Sequence, residues 1–542
     1  MIILFFDIYK KMGLQNCGSV QNLSTEAKYC FNKTALDIQE NDMKETAKLE
    51  VKITNISYGS CRVKLILYAD SQRTVTLQGG GETETSNCDS STNSISFEKF
   101  YILNYYFEKD QPIDFIISGS INGRVSTTLP SIIGSRGMTQ VKQIEGGSGA
   151  SLEIKGFAYK VKQTASLLFN VSLNGRFTER GLQYTIKSLG NASKPQNTLL
   201  YKSEIINAKF NNSGTINYAK SCIPDIYIAP DIDYNSNNVE IAIIDPYHNK
   251  ELCKYNGPLQ KLLGSGDSLP IIQNRNAVFS VEVVKNYQFL DYIRGGMQIN
   301  LVVAIDFTGS NMNPTNPNSL HYIGSENPNA YELAIRSCGN IVAYYDYDQL
   351  FPAFGFGGKF CGEQKANHCY PLNMNFDNPE IAGVEGIVQC YKTILGRTQL
   401  FGPTLFHEVI NKVISVVKED VIAENKMNYT ILMILTDGII DDMEETVDAL
   451  VEASFLPISV IIIGIGDADF TNMNFLDADD EPLKDKNGRK ADRDLVQFVP
   501  FKKFSYNGEL LAQNVLEEIP RQVIEYYQHQ KMPPREPIFN IQ

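Results

Sequence analysis

The sequence predicts a multidomain chain of two fold classes: two antiparallel β-sandwiches followed by an α/β doubly wound, mostly parallel sheet. Three observations carry that expectation. Between about residues 48 and 284, short apolar runs alternate with turn clusters, and no helical period intervenes, which is the pattern of antiparallel sandwiches. After Tyr287, apolar strands alternate with amphipathic helical segments, which predicts a parallel sheet covered on both faces. At 542 residues the chain has room for about three domains of roughly 100–200 residues each.

Taken in order, residues 1–45 are polar and mixed and read as a tail. The first sandwich, 46–157, is expected to use strands at 49–56, 63–69, 73–78, 94–107 and 112–120, with a last strand after the glycine-rich bridge near 145–156. The second, 160–287, is expected to use 166–173, 182–189, 198–206, 225–229, 239–245 and 277–284. Two consecutive all-β units of about equal length look like a tandem duplication. The third domain, 288–528, reads as strand 298–305, helix 329–346, strand 352–357, helices 383–395 and 404–423, strand 429–436, helix 443–454, strand 458–465, strand 495–501 and helix 508–528. Residues 529–542 form a proline-containing tail.

A net charge of −13 argues against nucleic acid as a partner and against purely electrostatic attraction to anionic lipid. The ten cysteines are scattered without a CxxC pair; Cys361, His368 and Cys369 lack an evident fourth ligand for zinc. Reduced thiols in a cytoplasmic chain are the simpler expectation. No apolar run approaches the ~18–20 residues that span a bilayer. Were Met12 the start, Gly13 would be open to acylation with Cys17 beside it, although Cys17 stands where the acylation pattern wants Ser or Thr.

The chemistry concentrates in the third domain. In LVVAIDFTGSNMNP (301–314) a buried-type strand runs into Asp306, and hydroxyls follow at Thr308 and Ser310. A Gly-Pro turn delivers Thr404 to the start of a helix, and the apolar strand of TILMILTDG ends at Asp437. Singly, these residues read as helix caps and turn formers. Together they fall at the carboxyl ends of parallel strands, where ligands bind in open α/β sheets. Two carboxylates with two or three hydroxyls suit Mg²⁺ or Mn²⁺ and leave room for a partner's carboxylate.

This constellation resembles the metal-ion-dependent adhesion site of von Willebrand factor type A domains, whose Asp-x-Ser-x-Ser, distant Thr and distant Asp match Asp306, Thr308, Ser310, Thr404 and Asp437, with Thr in place of the first Ser. Residues 289–311, 329–346, 351–359 and 494–501, together with GPTLF, LTDG and LPISVIIIGIG, resemble the copine family. Over the first two domains the likeness is weaker, and FEKFYILNYYFEKDQPIDFII (97–117) is its best-preserved part. The resemblance implies two C2-like domains that bind phospholipid in response to Ca²⁺, and an A domain that recruits protein partners. It further implies a peripheral membrane adaptor, cytoplasmic and recruited to the inner face of the plasma membrane or to other membranes.

The residues depart from that pattern where C2 domains hold Ca²⁺. The first-loop Ser-Asp-Pro-Phe should fall near Ser60, where the chain reads Ser60-Cys61-Arg62-Val63, and no acid occurs at 118–122. In the second sandwich the third loop keeps Asp245 alone, and the first loop offers Glu179. One acid or none per loop pair is a poor set for a cation that takes six to eight oxygens. Both sandwiches are therefore expected to have weakened Ca²⁺ binding, with Asp245 the one residual ligand candidate and read first as a turn residue. Catalysis is not expected. A metal-dependent phosphotransferase of the haloacid dehalogenase type needs a second Asp where Thr308 stands, and no Walker A, GxSxG or HExxH motif occurs. The remaining rival is a cytosolic interaction scaffold without calcium or membrane response.

Overall fold

The computed structural model describes residues 45–536 apart from 78–79, 148, 160–164, 176, 178, 208–214, 219–220, 230–232, 264–266, 272–274, 286, 361–362, 423–426, 478–480 and 505–506. The N-terminal tail with Met12, Gly13 and Cys17, the residue Cys361 and the end of the C-terminal tail lie outside the described residues. The chain forms two compact units. One is Lys160–Asn286; the other joins Glu45–Tyr159 to Tyr287–Gln542.

Each sandwich consists of two antiparallel sheets, and the two share one topology. In the first, Thr46–Thr54 lies between Ser151–Ala158 on one side and both Ser94–Ser96 and Tyr101–Asn104 on the other. In the second, Ala165–Asn174 lies between Arg275–Lys285 and both Thr215–Asn217 and Ser221–Pro224. The opposing sheets match as well: Ser60–Tyr68, Pro112–Gly119 and Gly123–Thr128 correspond to Gln183–Gly190, Asn238–Asp245 and Lys250–Pro258. Strict alternation builds these sheets. Thr46–Thr54 buries every second residue, Ala47, Leu49, Val51 and Ile53, the signature of a strand with one face on a core.

One expected strand is something else. Residues 225–229 begin with a 3₁₀ turn, Asp225–Tyr227. The Asp225 carbonyl accepts the Ile228 and Ala229 N–H groups, and its buried carboxylate accepts the Tyr234 hydroxyl at 3.1 Å. Local aspartate bonds of this kind compete with strand pairing.

In the C-terminal region, Leu350–Phe356, Gln298–Asp306, Asn428–Thr436, Ile458–Gly464 and Val496–Pro500 pair in parallel in that spatial order, and short antiparallel strands flank Leu350–Phe356. Side-chain alternation divides the strands between two cores. Leu301, Val303, Ile305, Ile431, Met433 and Leu435 pack with the helices Ala330–Val342, Gly383–Leu395, Gly508–Leu516 and Ile519–His529. Val302, Ala304, Leu432 and Ile434 pack with His407–Ile422 and Met443–Ala453. Helices thus cover both faces, and the near-continuous apolar strands follow from that double burial. The expected final helix is two helices, Gly508–Leu516 and Ile519–His529, with Pro520 in the first turn of the second; proline fits there and not inside a helix.

The first sandwich and the C-terminal region share one continuous core. Phe289 lies between Tyr105 (stacked, centroids 6.4 Å) and Phe107 (edge-on, 5.2 Å), and Phe107 meets Tyr345 at 4.8 Å. The Tyr105 and Tyr345 hydroxyls share a hydrogen bond, and Tyr344 donates to Asp110 at 3.1 Å. The helix Ala330–Val342 therefore has its C-terminal end beside the sandwich and its N-terminal end at the loops described next.

Candidate functional site

The strand Gln298–Asp306 ends with the Asp306 side chain fully buried. One carboxylate oxygen accepts the Thr308 N–H at 2.8 Å and the Thr308 hydroxyl at 2.6 Å, and the other accepts the Thr436 hydroxyl at 2.6 Å. Thr308 Oγ1 lies 2.9 Å from Ser310 Oγ, which donates to Asp437 Oδ1 at 2.9 Å. Two adjacent hydroxyls, each donating to a different carboxylate, therefore stand between Asp306 and Asp437. Thr404 stands on the same spot: a Cβ built on Gly438 would lie 2.9 Å from Thr404 Oγ1 and 3.7 Å from Asp306 Oδ2. Asp306, Thr308, Ser310, Thr404 and Asp437 are thus brought to one sheet edge.

The loops are held from outside the cluster. Phe401 N–H donates to Phe307 O and Phe401 O accepts Gly309 N–H at 2.9 Å, which ties the Thr404 loop to the Thr308 loop. Gly357 adopts φ +75°, and a Cβ there would collide with Thr308 Cγ2, so only glycine allows the approach. Thr404 does not begin a helix as expected; that helix starts at His407. Asp442 caps it from the neighbouring loop by accepting the Phe406 and His407 N–H groups, while Asp441 accepts Thr404 N–H at 2.8 Å. A cap from another strand's loop leaves the Thr404 hydroxyl free of capping duty.

Several contributors stand outside the motif. Asn311, fully buried, donates to Asp437 Oδ1 at 2.7 Å and accepts from the Tyr331 hydroxyl at 2.7 Å. His321, also buried, bridges the Asp306 carbonyl (2.9 Å) and the Tyr391 hydroxyl (2.7 Å). Burial pushes His321 down to about 3, so it is neutral and its partners assign the tautomer: Nε2–H donates to the carbonyl and Nδ1 accepts from Tyr391. Asn311 adjoins the Asp-x-Thr-x-Ser run and Thr436 adjoins Asp437, so adjacency was their one signal in the sequence; His321 and Tyr331 had none.

The electrostatics are lopsided. Burial raises both Asp306 and Asp437, and the neighbouring Asp306 charge helps push Asp437 up to about 7. No lysine, arginine or histidine pairs with either carboxylate among the described residues. Two buried carboxyl groups, both raised by burial, held by hydroxyls and without a counter-cation among the described residues, form a donor set that a small hard cation would fit by favouring their charged forms. Among the described residues no group of three or more His, Cys, Asp or Glu side chains is placed to hold a metal ion, so a cation here would lean on hydroxyl and water oxygens.

The loop ends of the sandwiches are built differently. In the first, Ser120 Oγ accepts the Ser60 N–H at 2.9 Å, and Gly59 faces Ser120 so closely that a Cβ would collide with its Oγ. In the second, Asp245 accepts the Tyr247 N–H at 3.0 Å and meets His248 Nδ1 at 2.8 Å, and Glu179 pairs with Arg275 at 2.8 Å. Each surviving acid is engaged within its own sandwich.

Fold and site together define a chain in which two β-sandwiches precede an α/β domain with an oxygen-rich cluster at its sheet edge. Residues 319–535 match the family model described as Copine. Over these residues the chain carries a copine-family domain. Solved structures with which it aligns include extended synaptotagmin 2, in a form holding its SMP domain and two C2 domains, at 9% identity and TM-score 0.18, covering 45% of this chain and 57% of that one. The match thus spans little more than half the length of that chain. Another is the manganese-loaded TRAP protein of Plasmodium vivax, at 12% identity and TM-score 0.24, covering 38% and 70%.

Proposed function

We propose that the chain is a copine-like peripheral membrane adaptor whose C-terminal domain recruits a protein partner through an adhesion-type site holding one Mg²⁺ or Mn²⁺. Asp306, Thr308, Ser310, Thr404 and Asp437 supply the oxygens, and an acidic side chain of the partner completes the shell. The observation that carries this reading is the pair of buried carboxylates bridged by two adjacent hydroxyls and lacking a counter-cation among the described residues. The reading is of a binding domain: among the described residues the one histidine bonded at the cluster, His321, is occupied by the Asp306 carbonyl and the Tyr391 hydroxyl. Asp306→Ala is expected to fold normally and to lose Mg²⁺-dependent partners in pull-downs. An unfolded variant would make the cluster purely structural.

The membrane role is assigned to the sandwiches with calcium dependence weakened, since Asp245 and Glu179 are already engaged. Their loop ends carry Tyr58, 81% exposed, and Tyr247, 57% exposed, with the Arg180 guanidinium 5.5 Å from the Tyr247 ring. Amphipathic rings and a cation suit the interfacial layer of a lipid surface. Sedimentation with phosphatidylserine vesicles is expected to pellet the chain equally in Ca²⁺ and in chelator. Strongly Ca²⁺-dependent pelleting would contradict the weakened-calcium reading, and no pelleting would favour a scaffold without membrane role. Among the described residues no helix is long and apolar enough to cross a membrane.

A further inference from the structure

The three loops that carry the oxygen cluster also carry large apolar side chains that point into solvent. Met312 follows Ser310 by two residues and is 51% exposed; Phe401 precedes Thr404 by three and is 50% exposed; Ile439 follows Asp437 by two and is 54% exposed. Scattered exposed apolar residues are ordinary on a protein surface. Here each of the three ligand loops contributes one, and the loops are bonded to each other. Phe401 bridges to Thr308, and the Asp437 loop is tied to Thr404 through the bond between Asp441 N–H and the Thr404 carbonyl at 2.9 Å. Met312 is moreover held at φ +63°, in a region that costs a non-glycine residue free energy. Its N–H is bonded to the Gly309 carbonyl at 3.1 Å, so the same turn that places Ser310 presents Met312 outward.

A cation stands at the same rim. Lys359 Nζ lies 4.8 Å from the centre of the Phe401 ring, in cation–π range, and forms no ion pair among the described residues. The rim therefore carries three apolar side chains and the Lys359 ammonium, while the exposed Asp441 carboxylate beside it is occupied by the Thr404 N–H at 2.8 Å. An apolar surface ringed by polar groups marks an interaction site, and the Lys359 ammonium, without an ion-pair partner among the described residues, favours an acidic one.

We infer that Met312, Phe401 and Ile439 form a collar that selects the partner: a segment whose metal-completing acidic residue is flanked by bulky apolar side chains, with Lys359 favouring a negatively charged segment. This rests on the metal reading of the cluster below the collar. The metal fixes the acidic residue and sets the register, while the collar buries its neighbours and sets the choice among acidic partners. In interfaces of this type, a few well-buried apolar anchors around a polar centre dominate affinity.

The test uses the full chain, immobilised, and a pooled peptide library with a central aspartate or asparagine and randomised flanks, selected in Mg²⁺ and in EDTA. Enrichment of aspartate over asparagine in Mg²⁺, together with Leu, Ile, Phe or Met at the adjacent positions, is expected. The Phe401→Ser/Ile439→Ser variant should bind an enriched peptide about tenfold or more weakly, the order expected when a buried apolar side chain is lost. Its calorimetric Mg²⁺ titration should be unchanged. Aspartate enrichment without any flank preference would overturn the collar and leave the metal site standing. Equal selection in Mg²⁺ and EDTA, or no selection at all, would overturn both. Loss of Mg²⁺ binding in the double variant would place these residues in metal holding and likewise overturn the collar.

Discussion

Asp306 and Asp114 are both fully buried aspartates, and they show how neighbours decide what a buried carboxylate does. Asp114 lies in the first sandwich with the Arg73 and Arg124 guanidinium groups on its two oxygens and further bonds from Tyr68 (2.6 Å) and Ser126 (2.7 Å). Burial alone pushes its carboxyl up, but those hydrogen bonds and the Arg73 charge outweigh it, and the net direction is down. A depressed carboxyl contributes stability above its unfolded value of about 3.9 and loses it as pH falls through the lower folded value. Asp114→Asn is therefore expected to destabilise by about 3–5 kcal/mol near neutral pH, the range for breaking a buried pair. In thermal unfolding the gap from the parent chain should narrow as pH falls below about 4; a gap that stays constant with pH would contradict the assignment. Asp306 has no such cation among the described residues, and burial leaves it raised. The residue that looks unfinished is the one at the sheet edge.

At the scale of elements, the junction between the first sandwich and the C-terminal region is built from whole aromatic side chains. Phe107 and Phe289 are buried and meet edge-on, and Glu45 accepts the Leu290 N–H at 3.1 Å at the start of the helix Phe289–Arg294. Gly134 lets its turn reach the Tyr344 backbone, where a Cβ would collide with the carbonyl oxygen. Truncating Phe107 to alanine leaves a cavity shared by two elements, and a cost of about 3–5 kcal/mol is expected. Chemical denaturation should show the sandwich and the C-terminal region losing stability together in one transition. Unfolding of the C-terminal region unchanged by Phe107→Ala would show that the two fold independently.

At the scale of the molecule, the strands of the C-terminal sheet were legible because double burial writes near-continuous apolar runs, as in Leu301–Ile305 and Ile431–Leu435. The oxygen cluster was legible because its members end those strands at fixed spacing. The shared sandwich topology was visible only as a similar rhythm of strands; short elements such as Thr215–Asn217 and Asp267–Ile271 are too brief to show a period of two. What the sequence could not display was contact between distant segments. Phe107 and Phe289 each look like ordinary core residues, Asp442 looks like a cap for its own helix and not for His407–Ile422, and His321 carries no local sign of the carbonyl it supports. All of these follow from tertiary placement.

The central claim is that the cluster at Asp306 and Asp437 binds one cation. Isothermal titration of Mg²⁺ into the metal-stripped full chain, beside its Asp306→Ala variant, tests it most directly. A single-site heat in the parent chain that disappears in the folded variant is the predicted result; equal heats from both, or none from the parent, would contradict it.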